Sequence, residues 1–382
     1  MNLLFLAWAC IPALLLSACL FDGDGKPGPG PRTRFDFSRL DSLESPFSKW
    51  YAIGKGRNLV GVKFAFTSVS YQHQVDSNIA AFSAELGKAP ALAGAYFDLA
   101  SRSKNLKTFL EAVAANGCIP FVTLDPKVWD ERDMKSQRPF IALINSGQFD
   151  DTLNALAGTL RDFGKPVMLR FAHERNGDWY PYSGAFSGGG ADADGNGLAD
   201  GPQNYVRAWR RVHDLFAGQG AVNLVWVFCP NAESFPKADW NRPFRYYPGS
   251  AYVDLIAVDS YESPDKAEQS LEEVVGEYVN EMGLHFESME GRPGEGLKPF
   301  GMSEFGTYRR DSGSKADWYE SALRYISGNP RVQFCIFYNA RNSGKDFSIT
   351  GIGARLRAAM ADPRFTFGAL EQAVAAWTGT GP

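Results

Sequence analysis

Two glutamates in this sequence each follow directly on a short apolar run. Glu174 follows the run that begins at Val167, and Glu304 follows the run that ends just before it. A carboxylate at the rim of a buried strand costs free energy unless it is paired or used. For either glutamate alone, a salt bridge to a neighbouring arginine would be the more common explanation. Two of them, with Trp and Tyr in the adjoining segments, favour a pair of catalytic carboxylates.

Such a pair can split a glycosidic bond with retention of configuration. One carboxyl protonates the leaving oxygen, and a second, ~5–5.5 Å away, attacks the anomeric carbon. The acid has to stay protonated near neutral pH while the nucleophile stays ionised. Mutual repulsion and different surroundings can separate the two pKa values in this way. We therefore predict that the carboxyl groups of Glu174 and Glu304 lie ~5–6 Å apart at one end of the fold.

Short apolar runs with strand character alternate with helical patterns along the chain. The predicted strands are 59–66, 92–98, 119–124, 167–171, 223–228, 253–260, 298–303 and 332–337. The predicted helices are 104–115, 151–163, 205–217, 271–289 and 317–327. This alternation predicts an α/β fold, a (β/α)₈ barrel formed by a single catalytic domain over residues 36–382. A doubly wound open sheet is the alternative, but no strand–helix turn carries a glycine-rich phosphate loop.

The segment Pro166 to Ser183 reads PVMLRFAHERNGDWYPYS. It resembles the acid/base segment of glycoside hydrolase family 26, which includes β-mannanases and related β-glycanases and shows Arg-x-x-His-Glu, then Asn-Gly and Trp-Tyr. The segment Ser303-Glu304-Phe305-Gly306 resembles the family's nucleophile segment. Weaker similarities extend from Ile119-Pro120 to Asp346-Phe347 in the family's order. The third predicted strand departs from the pattern, because it ends in Asp125-Pro126 where the family has Glu-Pro.

This resemblance implies a retaining endo-β-glycanase that needs no catalytic cofactor, with Glu174 as acid/base and Glu304 as nucleophile. β-1,4-Mannan is the first choice of polysaccharide. The same chemistry on a β-glucan, a β-xylan or an exopolysaccharide is the alternative, as is a catalytically inactive glycan-binding lipoprotein. Further substrate-binding candidates are His173, Arg170, Trp179, Tyr261, Phe235 and Tyr338. Arg170 could also orient a carboxylate, since it is two pleats before Glu174.

An Asp-rich stretch follows the fourth strand and matches the D-x-D-x-[DN]-G start of a calcium loop. Its candidate ligands are Asp192, Asp194, Asn196, Asp200 and the carbonyl of Leu198. The twelfth position is Gln203 rather than the usual closing Glu. We expect a weak structural Ca²⁺ site, the alternative being an ordinary solvated turn.

The amino-terminal segment has the character of an export signal. Residues 3–18 are an apolar run too short to span a bilayer comfortably, and the sequence Leu16-Ser17-Ala18-Cys19 follows a lipoprotein pattern. We predict a signal peptide over residues 1–18 and a Gly/Pro-rich linker over residues 19–35 that begins at a lipidated Cys19. The protein would be exported and anchored to a bacterial membrane, in the periplasm or at the cell surface. No Lys or Arg precedes the run, and an ordinary signal peptide of a secreted protein is the alternative.

Composition narrows the choice of partners. The formal net charge is −4 with 21% charged residues and no basic run, which disfavours a nucleic-acid-binding protein. We expect a monomer that acts on a polysaccharide or oligosaccharide. Cys118, Cys229 and Cys335 lie in apolar strand-like runs, and their odd number favours buried free thiols over a disulfide framework.

Replacing Cys19 by Ser tests the lipid anchor. We expect Cys19→Ser to convert a membrane-associated protein into a released or unprocessed one, because the acyl chains supply the membrane affinity. Cell fractionation and mass spectrometry of the mature amino terminus measure this. Unchanged fractionation, or a Cys19 without lipid, would contradict the anchor.

Overall fold

The computed structural model describes residues 57–64, 71–99, 105–128, 139–265, 267–288, 298–329 and 332–378. These residues all belong to one compact unit of the chain. The predicted signal segment, the linker and Cys19 lie outside the described residues. None of the helices in the described ranges is both long enough and apolar enough to cross a membrane.

Eight parallel strands form a closed barrel. They are β1 (Asn58–Lys63), β2 (Leu92–Asp98), β3 (Ile119–Asp125), β4 (Val167–Phe171), β5 (Leu224–Phe228), β6 (Leu255–Tyr261), β7 (Phe300–Gly306) and β8 (Val332–Tyr338). They pair in chain order, and β8 pairs back onto β1, for example at Val60 and Cys335. The predicted (β/α)₈ barrel is thus confirmed, and the open sheet is excluded by this closing pair.

Helices surround the barrel. They are α1 (Tyr71–Leu86), α2 (Leu106–Ala115), α3 (Phe140–Asn145), α4 (Asp150–Phe163), α5 (Asp200–Gly218), α6 (Leu271–Ser288), α7 (Ser312–Gly328), α8 (Gly353–Ala359) and α9 (Leu370–Thr378). The five predicted helices correspond to α2, α4, α5, α6 and α7, whereas α1, α3, α8 and α9 were not predicted. Short strands complete the structure: a β9 (Arg341–Asn342) and β10 (Lys345–Asp346) hairpin, and β11 (Phe365–Thr366) beside β1.

Every barrel strand is buried on both faces, which explains the continuous apolar runs. Inward-facing side chains such as Phe121, Met168 and Phe334 fill the barrel. Ala369, just before helix α9, and Ala373, within it, belong to the same cluster. A Cβ built at Gly301 would lie 2.2 Å from the Phe334 ring, so only glycine fits there. The three cysteines are buried free thiols, as predicted.

A β-bulge in β7 decides where Glu304 points. Opposite β6, Val258 pairs with Met302 but Asp259 pairs with Glu304, so Ser303 is an extra residue in β7. Met302 and Phe305 pack in the outer core between strands and helices. Strict alternation from Met302 would put Glu304 on that outer side as well. The bulge turns Glu304 into the barrel instead, where its carboxylate contacts Lys63 and Arg170.

Candidate active site

A cavity of about 780 Å³ opens at the end of the barrel where the strands finish. Both predicted carboxylates line it. Four of the predicted aromatic candidates line it as well: Trp179, Phe235, Tyr261 and Tyr338. Arg170 and His173 lie directly beneath and are buried. The structure therefore brings the predicted catalytic and substrate-binding residues together around one cavity.

The backbone that carries Glu174 is strained. β4 ends at Phe171, and Ala172 and Glu174 then adopt φ values of 46° and 51°, in the left-handed region that non-glycine residues avoid. Such residues cost about 1–3 kcal/mol each unless their surroundings compensate. Here Ala172 N–H donates to the Leu124 carbonyl at 2.9 Å, and Glu174 N–H donates to the Cys229 carbonyl at 3.0 Å. Because the pleat stops at Phe171, alternation does not relate Arg170 to Glu174 as the sequence argument assumed.

Trp179 holds one oxygen of Glu174. Its indole Nε1–H donates to Glu174 Oε2 at 2.8 Å, and its ring lies against Phe235 with centroids 5.8 Å apart. The ring also lies directly on the backbone of Gly177, where an added Cβ would be 2.4 Å from the indole. The Asn-Gly pair in the motif thus provides the close approach that this tryptophan requires.

The surroundings raise the pKa of Glu174 into the neutral range. Burial raises the pKa of Glu174, and the negative charge of Glu304 raises it further, to about 7. The hydrogen bond from Trp179 and the charge of Arg170 oppose this rise without cancelling it. A carboxyl group with such a pKa can donate a proton at neutral pH.

The surroundings of Glu304 have the opposite effect. Lys63 Nζ lies 2.9 Å from Oε1, Arg170 also contacts Oε1, and the Tyr96 hydroxyl donates to it at 2.7 Å. The Tyr261 hydroxyl donates to Oε2. Burial alone would raise the pKa of Glu304, but the charges of Lys63 and Arg170 outweigh burial and hold this pKa well below its ordinary range.

Arg170 joins three strands inside the barrel. Its Nη1 donates to both oxygens of Asp259 in β6, at 2.6 and 2.5 Å, while Nη2 contacts Glu304 in β7 and Nε donates to Thr123 in β3 at 3.1 Å. Lys63 is fully buried beside it, and burial followed by the charge of Arg170 lowers the pKa of Lys63 to about 8. Lys63 and Arg170 thus face the carboxyl groups of Asp259 and Glu304.

Lys63, Tyr96 and the role of Asp259 were not predicted from sequence. Each lies at or near the carboxyl end of an otherwise apolar strand. This position was the signal available in the sequence, since active-site residues of such barrels lie at the carboxyl ends of the strands. The hydroxyl or charge of each residue reaches its partner across the barrel, and nothing in the local sequence indicates which partner that is.

One group of side chains in the described residues has the atom spacing of a metal site. Ligand atoms of His173, Asp259 and Glu304 lie within 4.8 Å of one another. However, Lys63 and Arg170 already contact these carboxylates, and a divalent cation would be repelled by both. The donor set therefore does not fit a metal.

The Asp-rich loop lies apart from the cavity and is exposed. Gly195 and Gly197 have φ values of 70° and 83°, the sharp bends expected of such a loop. Both oxygens of Asp192 accept backbone N–H groups, from Asn196 and Gly197 at 2.9 Å each. The Gln203 amide donates to Asn196 Oδ1 and to the Leu198 carbonyl, each at 3.0 Å. Asp194 Oδ2 accepts from the Asn196 side chain, and Asp200, the first residue of α5, accepts from Ala193 N–H.

Comparison with known proteins agrees with the geometry of the site. Residues 136–287 match the family described as "Glycosyl hydrolase family 26". Endoglucanase H of Acetivibrio thermocellus is 29% identical over 156 residues, which cover 41% of this chain and 15% of that protein. The mannan endo-1,4-beta-mannosidase of Bacillus subtilis strain 168 is 31% identical over 105 residues, covering 27% of this chain and 25% of that protein. The chain thus matches a quarter or less of the length of these relatives.

Solved structures extend the likeness in fold to most of the chain. A double mutant of the Cellulomonas fimi endo-beta-1,4-mannanase superposes with a TM-score of 0.61 and 18% identity, covering 90% of this chain and 78% of that one. At this identity the likeness shows the fold alone. The family match itself contains the strand-four segment with Glu174. Over residues 136–287 the chain is therefore similar to glycosyl hydrolase family 26.

Proposed function

We propose that this protein is a retaining endo-β-glycanase, with β-1,4-mannan as its substrate. The observation that carries the proposal is a single cavity that holds two buried carboxylates whose pKa values are shifted in opposite directions. Such a split supports Glu174 as the acid and Glu304 as the nucleophile. The separation of ~5–5.5 Å that retention requires stays a prediction.

In the first step, a Glu304 oxygen bonds to the anomeric carbon while Glu174 gives its proton to the leaving oxygen. Oε1 of Glu304 already interacts with Lys63, Arg170 and Tyr96, whereas Oε2 accepts a hydrogen bond from Tyr261. Oε2 is therefore the oxygen that attacks. Because Trp179 donates to Oε2 of Glu174, the transferable proton belongs on Oε1 of that residue.

In the second step, the Glu174 carboxylate takes a proton from water, and the resulting hydroxide oxygen attacks the anomeric carbon. The bond to Glu304 breaks and its electron pair returns to the carboxylate. Lys63 and Arg170 stabilise the negative charge that Glu304 regains. Both glutamates then have their starting protonation states.

Mannan is the preferred substrate because relatives of this chain are named for it, while another is named an endoglucanase. An extended chain of sugars is favoured by the cavity, whose wall continues beyond the carboxylates with Tyr308, Tyr338 and Phe347. Flat rings of this kind stack on the apolar faces of sugars. A β-glucan, a β-xylan or an exopolysaccharide would use the same two steps.

Two substitutions test the assigned roles. Glu304→Gln should abolish the covalent intermediate and all turnover. Glu174→Gln should abolish cleavage of polysaccharide but spare the first step on aryl glycosides whose leaving group needs no proton. Burst kinetics with such aryl glycosides and NMR of the first-formed anomer measure both effects.

The exposed Glu111 in α2 provides a matched control, and Glu111→Gln should retain full activity. Equal loss in both active-site variants on an activated substrate would contradict the roles. A panel of mannan, β-glucan, β-xylan and exopolysaccharides identifies the substrate. Tight glycan binding without cleavage by the wild type would favour the inactive, glycan-binding alternative.

The pKa shifts predict the pH profile of kcat/KM. Activity should fall as pH rises through about 7, because Glu174 then loses the proton it must donate. The acidic limb should lie below 4.5, the unperturbed value for glutamate, because Glu304 stays ionised there. Removing the charge of residue 304 should lower the pKa of Glu174, which NMR of labelled glutamate carboxyls in Glu304→Gln can measure. An unchanged or higher pKa in that variant would contradict the coupling.

We also propose that the enzyme acts outside the cytoplasm while held to a membrane by lipid on Cys19. The pattern before Cys19 and the Gly/Pro-rich residues after it support this arrangement. The linker would let a monomeric catalytic domain reach polysaccharide away from the membrane surface.

A weak structural Ca²⁺ at the Asp-rich loop is a further part of the proposal. Asp192, Asp194 and Asp200 concentrate three carboxylates in nine residues, with Asn196 and the Leu198 carbonyl as additional oxygen donors. Calcium accepts such oxygen ligands in flexible geometry. Binding would require the Gln203 amide to leave Asn196 Oδ1 and the Leu198 carbonyl.

Millimolar Ca²⁺ should therefore raise the melting temperature of the wild type relative to chelator, with kcat little changed. Asp192→Asn should reduce this difference, whereas Asp162→Asn on the exposed end of α4 should not. Equal melting temperatures with and without Ca²⁺, and no calorimetric signal at millimolar Ca²⁺, would leave an ordinary solvated turn.

A further inference from the structure

His173 belongs to a group of polar side chains that lies on the side away from the open cavity. It consists of Lys127 and Asp125 at the end of β3, His173 itself, and Tyr182 from the segment after β4. All four are at most 1% exposed. Asp125, Lys127 and Tyr182 do not line the cavity, so the two catalytic steps do not use them directly.

Asp125 has two hydrogen-bond partners and one ion-pair partner. Its Oδ1 lies 2.8 Å from His173 Nδ1 and 3.0 Å from the Tyr182 hydroxyl, and its Oδ2 lies 3.1 Å from Lys127 Nζ. Burial alone would raise the pKa of Asp125, but His173 and Lys127 outweigh burial and hold it well below its ordinary range. Asp125 is therefore a carboxylate, which has acceptors only.

The protonation of the His173 ring follows from this contact. A carboxylate at 2.8 Å requires a proton on Nδ1. Burial, reinforced by the charge of Arg170, lowers the pKa of His173 to about 4, although Asp125 opposes the shift. At neutral pH the ring therefore carries a single proton, on Nδ1. Nε2 is left as an acceptor, 4.0 Å from Glu174 Oε2.

A neutral His173 matters for the acid. A positive ring 4.0 Å from Glu174 would favour the carboxylate form and lower the pKa of Glu174. A neutral ring leaves that pKa raised and can accept a hydrogen bond from a sugar hydroxyl held beside Glu174. Lys127 contributes because it offsets the charge of Asp125, which would otherwise favour a second proton on the ring.

Other titratable groups also act on His173 from the surrounding elements. The ring centroids of Tyr96 and Tyr180 lie 5.6 and 5.0 Å from that of His173. The other titratable groups around it are Arg170, Glu174, Asp259 and Glu304. Asp125 and Tyr182 lie within hydrogen-bond distance of His173 Nδ1, at 2.8 and 3.1 Å.

We propose that Asp125 and Lys127 are positioning residues that fix His173 as a neutral ring, with Nδ1 protonated and Nε2 accepting from a substrate hydroxyl beside the acid Glu174. The part of this proposal that concerns substrate rests on the proposed function. The part that concerns the ring can be observed in the free enzyme.

Nitrogen NMR of the histidine rings in the full chain tests the proposal directly. The four histidines give few signals, and His173→Gln assigns the relevant one. In the wild type we expect a protonated Nδ1 and a bare Nε2 on His173 down to about pH 4. In Asp125→Asn, Lys127 should attract the amide oxygen and leave the NH₂ facing the ring, so that the proton moves to Nε2. Asp162→Asn should change neither nitrogen.

Lys127→Met provides a second measurement. Without the cation, the Asp125–His173 pair should take up a proton at a higher pH than in the wild type. Asp125→Glu should keep the carboxylate and so the wild-type pattern of nitrogen signals. If Asp125→Asn does not fold, the nitrogen signals of His173 in the wild type and in Lys127→Met still test the proposal. A wild-type ring with its proton on Nε2, or one that is charged at neutral pH, would overturn the proposal.

Kinetics then test the link to catalysis. Asp125→Asn should lower kcat/KM on polysaccharide by about 10- to 100-fold, the range of one or two lost hydrogen bonds, and Asp125→Glu should recover part of this loss. A ring that changes its protonated nitrogen without loss of activity would overturn the catalytic part. If the wild type cleaves no glycan but the ring behaves as described, the proposed function fails while the assignment of the ring stands.

Discussion

The site depends on the contact between Arg170 and two buried carboxylates, Asp259 and Glu304. An arginine is always charged, so placing it inside a barrel requires anions close by. Here it contacts Asp259 and Glu304, and Lys63 adds the second cation. Removing one partner from such a group leaves an uncompensated buried charge, which is strongly destabilising. The arrangement is therefore as much a condition of folding as of function.

This balance explains why two glutamates in one cavity behave differently. Lys63 and Arg170 offset Asp259 and Glu304, and Lys127 offsets Asp125. Glu174 has the neutral indole of Trp179 and the imidazole of His173, whose pKa is lowered, beside it. Protonation of Glu174 avoids placing another negative charge in the interior. The acid is thus defined by which carboxylate has no cation close to it.

The sequence predicted the barrel well because its strands are buried on both faces and its helices are amphipathic. It predicted Glu174 because residues 166–183 are contiguous and form strand β4 and the segment that follows it. It could not predict the bulge at Ser303, since one extra residue in β7 depends on the register with β6 and β8. Lys63 and Tyr96 could not be identified from the sequence for a similar reason. They contact Glu304 only once the barrel is closed. Helix α1 was missed because its pattern of apolar residues is weak.

The close packing of Trp179 on Gly177 has a consequence for variation at this site. Any larger residue at position 177 would have to displace the indole, since its Cβ alone would overlap the ring. The indole N–H would then leave Glu174, although neither Glu174 nor Trp179 had been altered. The acidity of the proton donor is therefore encoded partly in a residue that has no side chain. A substitution at position 177 would therefore change the acidity of Glu174 without altering any residue that contacts its carboxyl group.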